Sequence, residues 1–281
     1  MIHNKEDYNN LIKLYMHQEW LITKKVEMYD LLGICDTSVH KNLIFSLLER
    51  FYYLNGEKLN YLYNEICDYI INESGFDENS TQLLSLTYDD EADSSQRIID
   101  SIKVPLYKAG WKNFKTVNLF GKGVSNYKKG KNQILIIDEF IGSGSTLSTR
   151  LDWLKKNIIG DFELKCCFLA GIKSSVDILR NKGIEIFCPL ELDKGISEFY
   201  KGNELIEMEK AMQSMESKLA EKINEKELSE YSFGYGNAQA LYSMEGCQGN
   251  TPNSVFPIFW WTKDKNDSER KTILTRYETG F

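Results

Sequence analysis

Asp138 and Glu139 stand side by side after four branched apolar residues, Ile134 to Ile137, and are followed closely by Gly142-Ser143-Gly144-Ser145-Thr146. Two adjacent carboxylates can accept charge-assisted hydrogen bonds from the vicinal hydroxyls of a ribose, or hold a divalent ion. Glycines let a backbone come close to a phosphate. Amide N–H groups at a helix start point at such an anion, and the helix dipole favours its charge. Ser143, Ser145 and Thr146 add hydroxyl donors. The combination reads as a sugar 5′-phosphate site; a bland buried strand with a tight turn would require neither the two acids nor the three hydroxyls.

These side chains need a strand to deliver them and a helix to receive the turn. The run Ile134–Ile137 has the composition of a strand buried on both faces of a parallel sheet, and Leu147 to Ile158 continues as a helix. Ligands of open α/β sheets lie beyond the carboxyl ends of strands. Neighbouring strand residues point to opposite faces, so both acids reach one ligand only where strand gives way to loop, and the strand is expected to end at this pair. Two competing motifs fail: no Gly-Lys-Ser/Thr follows the strand, and Gly142-x-Gly144 lacks the third glycine of a dinucleotide fingerprint.

The order of four apolar residues, two acids, three residues and then Ser/Thr-Gly-x-Thr resembles the signature of type I phosphoribosyltransferases. That resemblance implies that Asp138 and Glu139 hold the ribose hydroxyls of phosphoribosyl pyrophosphate (PRPP), with Mg²⁺ beside them, and that Gly142 to Thr146 wraps the 5′-phosphate. It also implies an α/β fold, a parallel sheet flanked by helices, spanning about residues 81–192. Many purine-using relatives carry an acid just before the Ser/Thr-Gly pair to act on the base; here that position is Gly142. The expected general base of purine salvage is therefore missing.

With 281 residues, 42% hydrophobic and 27% charged, the chain can bury a large α/β core with additions. A net charge of −7 gives no basic footprint for nucleic acid, although an uneven distribution could hide a basic groove. The six cysteines show no C-x-x-C pair, and the three histidines all lie near the N-terminus, so neither a zinc site nor a Ser-His-Asp triad is well supplied. The polar start MIHNKEDYNN and the absence of a long apolar run predict a cytoplasmic protein with no membrane segment.

Three regions are expected: a helical N-terminal subdomain over 1–78, the α/β core over 79–200, and a C-terminal cap over 201–281. The first is rich in Tyr and Phe, which either pack against the core or offer a partner surface. A strand at Leu83–Tyr88 leads through the acidic run Asp89-Asp90-Glu91-Ala92-Asp93 into a helix from about Gln96 to Ile102. By the resemblance this junction carries the pyrophosphate loop, with Ser94, Ser95 and Arg97 as candidates, yet the acids would repel a diphosphate unless a divalent ion intervenes. Strand Thr116–Phe120 precedes Gly121 to Lys131, a glycine- and lysine-rich stretch. It reads either as a solvated hairpin or, by the resemblance, as a mobile hood whose Lys122, Lys128, Lys129 and Lys131 meet the leaving pyrophosphate.

In the cap, Leu205, Met208, Met212, Met215, Leu219 and Ile223 predict an amphipathic helix over about 203–230, which packs on its own core or else dimerises, caps the active site or docks a partner. Tyr231 to Asn237 and Asn250 to Trp261 concentrate glycine, asparagine and aromatics. Asn237 is a candidate for reading a base edge and Trp260 for stacking on it; buried tryptophans beside a structural turn are the alternative. The tail from Thr262 is expected to be peripheral.

The G-Y-G-N and N-T-P-N-x-x-x-P-I-x-W-W pair, together with IDEFIGSG, is similar to a narrower group, the PRTase-CE-type phosphoribosyltransferase-like proteins of bacterial antiviral conflict systems. The resemblance implies binding of PRPP or a nucleotide and a nucleotide-acting defence effector, with a partner from a defence operon reached through the 203–230 helix or the N-terminal helices. A transferase with another acceptor, a non-catalytic sensor that switches a partner, and a housekeeping base phosphoribosyltransferase remain the alternatives.

Overall fold

Apolar spacing along the N-terminal region gives α1 (Lys5–His17), α2 (Lys25–Gly33) and α3 (Ser38–Glu49) in the computed structural model, which describes residues 5–86, 94–245 and 250–277. The Asp36-Thr37-Ser38 cluster caps a helix: the Thr37 hydroxyl accepts the His40 N–H at 3.2 Å, satisfying one orphan donor of α3. Between helices lies a short strand, β1 (Tyr52–Leu54), which pairs in parallel with Tyr242–Met244. The chain forms two units. One runs to Asn55 and resumes at Asp193; the other is Gly56–Leu192.

The second unit opens with α4 (Gly56–Asp68) and then alternates strand and helix: β2 (Thr81–Ser85), α5 (Ser94–Lys108), β3 (Lys115–Val117), α6 (Phe120–Tyr127), β4 (Gln133–Ile141), α7 (Ser145–Asn157), β5 (Glu163–Ile172), α8 (Lys173–Asn181), β6 (Glu185–Phe187) and β7 (Leu190–Leu192). All six strands, β2 to β7, are parallel, in the order β3-β2-β4-β5-β6, with β7 also on β5. The α/β expectation therefore holds. Along the chain the sheet grows from β2 outward to β3, then returns to β4 on the other side of β2. The reversal makes the β2–β4 boundary a topological switch point, where crevices open at strand carboxyl ends.

Two elements differ from expectation. The stretch Gly121 to Lys131, read either as a solvated hairpin or as a mobile hood, is helical in α6 up to Tyr127. Phe120, Gly123, Val124 and Tyr127 recur at three- and four-residue steps, and Phe120 and Gly123 are buried. Helix α5 also continues past Ile102 through Pro105, because Ile98, Ile99, Ile102 and Leu106 bury one continuous stripe. That packing outweighs the missing donor of an internal proline.

Lys131 lies just before β4, at the amino edge of the sheet. Its ammonium donates to the carbonyls of Glu78, Asn79 and Asn113. Lys128 and Lys129, at the carboxyl end of α6, belong to the same return toward that edge. Three of the four lysines expected over a pyrophosphate are thus carried away from the acid pair, and Lys122, exposed in the first turn of α6, is the exception.

After Asp193 the first unit resumes with α9 (Gly202–Glu216), a hairpin of β8 (Lys222–Ile223) and β9 (Lys226–Glu227), α10 (Leu228–Tyr231) and β10 (Tyr242–Met244). The predicted long helix stops at Glu216. Asn224, at φ 53°, instead turns the hairpin. Met208, Met212 and Met215 are buried, with α9 against α3, so the methionine seam is used within its own unit. The tail is not peripheral throughout: the Arg270 guanidinium donates to the carbonyls of Trp261 and Ile258 and lies 3.3 Å from Asp30, while Ile273 and Leu274 are buried.

Candidate functional site

Strand β4 does not end at the acid pair. It runs on to Ile141, with Asp138 opposite Phe168, Phe140 opposite Ala170 and Ile141 opposite Gly171 on β5. Gly171 permits that last step, since a Cβ there would collide with the Ile141 side chain and stand 3.2 Å from its carbonyl oxygen. On the other flank the paired part of β2 stops at Ser85, opposite Ile137, one residue before Asp138. The acids therefore lie at the switch point, inside a ladder rather than at a loop exit.

Period-two geometry then separates them. Asp138 shares a face with Ile134 and Ile136, which pack with Leu147, Leu151 and Leu154 of α7. It is half-buried, and its Oδ1 accepts the Glu139 N–H at 2.7 Å. Glu139 faces the α4–α5 layer and is 4% exposed. Its charge is felt by Tyr63 of α4, whose phenol is raised first by burial and then, against a hydrogen bond with Ser101, by Glu139; Arg97 opposes the rise. Asp138 is thus the acid on the side of the glycine turn, and Glu139 belongs to a buried polar group with Tyr63.

The turn behaves as its composition suggests. Gly142 and Gly144 are buried, whereas Ser143, Ser145 and Thr146 are exposed. Gly144 is left-handed at φ 76°, and a Cβ there would come within 2.7 Å of Leu179 Cδ1. Glycine is required twice over, for the backbone and for the seat of α8 beneath the turn. The Ser143 and Ser145 hydroxyls lie 3.0 Å apart at the start of α7, a 13-residue helix whose first N–H groups have no partner within the helix. Three hydroxyls and a helix start thus occupy one exposed corner, on the Asp138 side of β4.

The other candidates fall in several places. Helix α5 begins at Ser94; Ser95 is fully buried and so faces the interior, and Arg97 is partly buried, with Nη1 lacking a hydrogen-bond partner among the described residues. The acids from Asp89 to Asp93 lie outside the described residues. Asn237 and Trp260 belong to the other unit. There Asn237 is exposed, but Trp260 is 5% exposed and its indole N–H donates to the Val255 carbonyl at 2.9 Å, so its ring supports the loop from within. Sequence reasoning passed over Tyr63 as one of many aromatics and Gly171 as one glycine in an apolar strand. An isolated strand glycine was the available signal of close backbone approach.

Burial disfavours the thiolate at the described cysteines. Cys67, Cys166 and Cys188 are pushed up to about 12, chiefly by burial. Among the described residues no group of three or more His, Cys, Asp or Glu side chains gathers as a metal site, and no helix is long and apolar enough to cross a membrane.

No curated protein matches the chain. The family model PRTase-CE does match, over residues 36–276, which takes in the acid pair, the glycine turn and both C-terminal motifs. With that span of sequence, and a parallel sheet whose switch point carries the signature, this chain belongs to the PRTase-CE family.

Proposed function

We propose that this phosphoribosyltransferase-like protein holds PRPP or a nucleotide by its ribose 5-phosphate at the carboxyl end of β4, and acts on nucleotides as an effector of bacterial antiviral defence. The observation that carries the reading is the single exposed corner in which Ser143, Ser145, Thr146 and the start of α7 meet on the Asp138 side of the switch point. The turn N–H groups and hydroxyls hold the 5′-phosphate. Asp138 accepts from a ribose hydroxyl, while Glu139 acts from behind the strand as a positioning residue. Arg97 and Lys122, with Ser94 at the head of α5, are the candidates to meet a diphosphate.

Mg²⁺ suits this donor set as an ion carried in by the substrate: it takes few protein carboxylates and completes its shell with phosphate oxygens and water. It would neutralise charge on the diphosphate as the ribose C1–O bond breaks. The chain's own part is to fix the ribose so that an acceptor lone pair reaches C1 as the diphosphate leaves with the bonding pair.

A non-catalytic sensor is the second reading, favoured by Gly142, a buried glycine where purine-using relatives place an acid. Titration calorimetry with PRPP and Mg²⁺, followed by a pyrophosphate-release assay, tests both. Wild type should bind, and Asp138→Asn should weaken binding about tenfold or more, the loss of a charged hydrogen bond. Release of pyrophosphate identifies an enzyme, and binding without release a sensor. The absence of PRPP binding to wild type would remove the proposal.

A further inference from the structure

The most heavily constrained backbone among the described residues lies in the first unit, from Phe233 to Gln239. Five of its seven residues are left-handed: Phe233 (φ 57°), Gly234 (77°), Gly236 (67°), Asn237 (55°) and Gln239 (52°). Asparagine tolerates this region, but phenylalanine and glutamine rarely adopt it. Such a conformation persists only where surrounding groups over-determine it.

Those groups are buried polar side chains directed at this one loop. Glu216, at the end of α9, accepts the Ser232 hydroxyl at 2.6 Å and the Phe233 N–H at 3.0 Å. The Gln239 amide oxygen accepts the N–H groups of Ile196 and Ser197, and its nitrogen donates to Asn237 Oδ1 at 3.0 Å. The second motif locks the other side: Tyr235 N–H donates to Asn253 O at 2.9 Å and Ala240 N–H to Ser254 O at 3.0 Å, while Gly234 lies so close to the Ser254 carbonyl that a Cβ would overlap it.

All this support holds up a tip that is not itself buried. Tyr235 is 40% exposed, and Gly236 and Asn237 are exposed beside it. The tip offers an aromatic ring, a stretch of backbone without a side chain, and an amide whose oxygen is held by Gln239, so that its NH₂ has a set orientation. A ring for stacking, room for close approach and a directed donor suit a planar heterocycle with acceptors on its edge.

We propose that Tyr235-Gly236-Asn237 is a nucleobase-binding element, with Tyr235 stacking on the base, the Asn237 amide donating to its edge, and Glu216 and Gln239 as positioning residues. The site is independent of the phosphate turn, which a ligand without phosphate does not need. The test is titration of the full chain with the four ribonucleosides, read by saturation-transfer NMR and calorimetry. Variants are Tyr235→Ala, Tyr235→Phe and Asn237→Gly, which keeps the left-handed backbone.

At least one nucleoside should bind saturably. Tyr235→Ala should weaken it by about tenfold or more, the scale of one stacked base. Tyr235→Phe should stay within about threefold of wild type. Asn237→Gly should reduce discrimination among bases, with unchanged melting curves throughout. Failure of every nucleoside to bind wild type, or binding indifferent to both Tyr235→Ala and Asn237→Gly, overturns the proposal while leaving the PRPP reading to its own assay. If Tyr235→Ala fails to fold, Asn237→Gly decides: base discrimination equal to that of wild type overturns the proposal.

Discussion

Two glycine-rich turns, Gly142 to Thr146 in one unit and Phe233 to Gln239 in the other, obtain rigidity by opposite means. The first sits between a strand and a helix, and one left-handed glycine completes the passage from β4 to α7. The second has only the four-residue α10 before it, so side chains do the holding: Glu216 and Gln239, each almost wholly buried, take the place of a ladder. Regular structure fixes a turn through many weak constraints, whereas a clamp of two polar side chains concentrates the load on few atoms. Substitutions should therefore damage the second turn more than the first.

The largest effect is expected at Gly234. A Cβ there meets the backbone oxygen of Ser254, in a left-handed conformation, and neither can give way easily. Gly234→Ala should cost about 3 kcal/mol in urea unfolding. A loss under about 1 kcal/mol would show that the clamp is soft and the comparison mistaken.

Next comes the charge state of Glu216. Burial pushes its carboxyl from 4.5 up to about 7. Between those values the folded chain keeps a proton that the unfolded chain has released. This group's stabilisation is therefore complete below about 4.5 and is lost as pH rises through about 7. From about pH 5 to about pH 8 the wild type should lose roughly 2 kcal/mol from this source, and Glu216→Gln should flatten that part of the profile. An unchanged slope in the variant would assign the pH dependence elsewhere.

Gly144→Ala should be milder, at about 1–2 kcal/mol, because its new Cβ meets the mobile end of Leu179 rather than backbone. Its affinity for PRPP should fall more than its stability suggests, since the turn itself moves. Smallest is Lys131→Met, which withdraws an ammonium from three carbonyls at the amino edge of the sheet. It should cost about 1 kcal/mol and leave PRPP binding intact; a large loss of binding would restore this lysine to the site.

The β-α alternation and the glycine turn were legible because their signals are local: an apolar run, a capping position, a glycine where a helix starts. Helix α6 was misread because glycine and lysine were weighed above the recurrence of Phe120, Gly123, Val124 and Tyr127. Strand β1 escaped because its partner, Tyr242–Met244, lies far along the chain, and no local pattern records a distant pairing. The acid pair was found, but its split between two faces was not, since polar residues inside β4 imitate a strand end. The clamp on 233–239 rests on Glu216 and Gln239, which look like surface residues in sequence and show their role only by burial.

The continuation of β4 along β5 past the acids also bears on ligand choice. Carboxylates mounted on a paired strand have their separation set by the pleat, as marks on a ruler are, so no ligand can draw them together. Little conformational freedom remains to be lost there on binding, so any ligand whose hydroxyls match that spacing gains affinity at little ordering cost, whatever else it carries. Selectivity must then come from parts of the molecule that do not sit on the ruler.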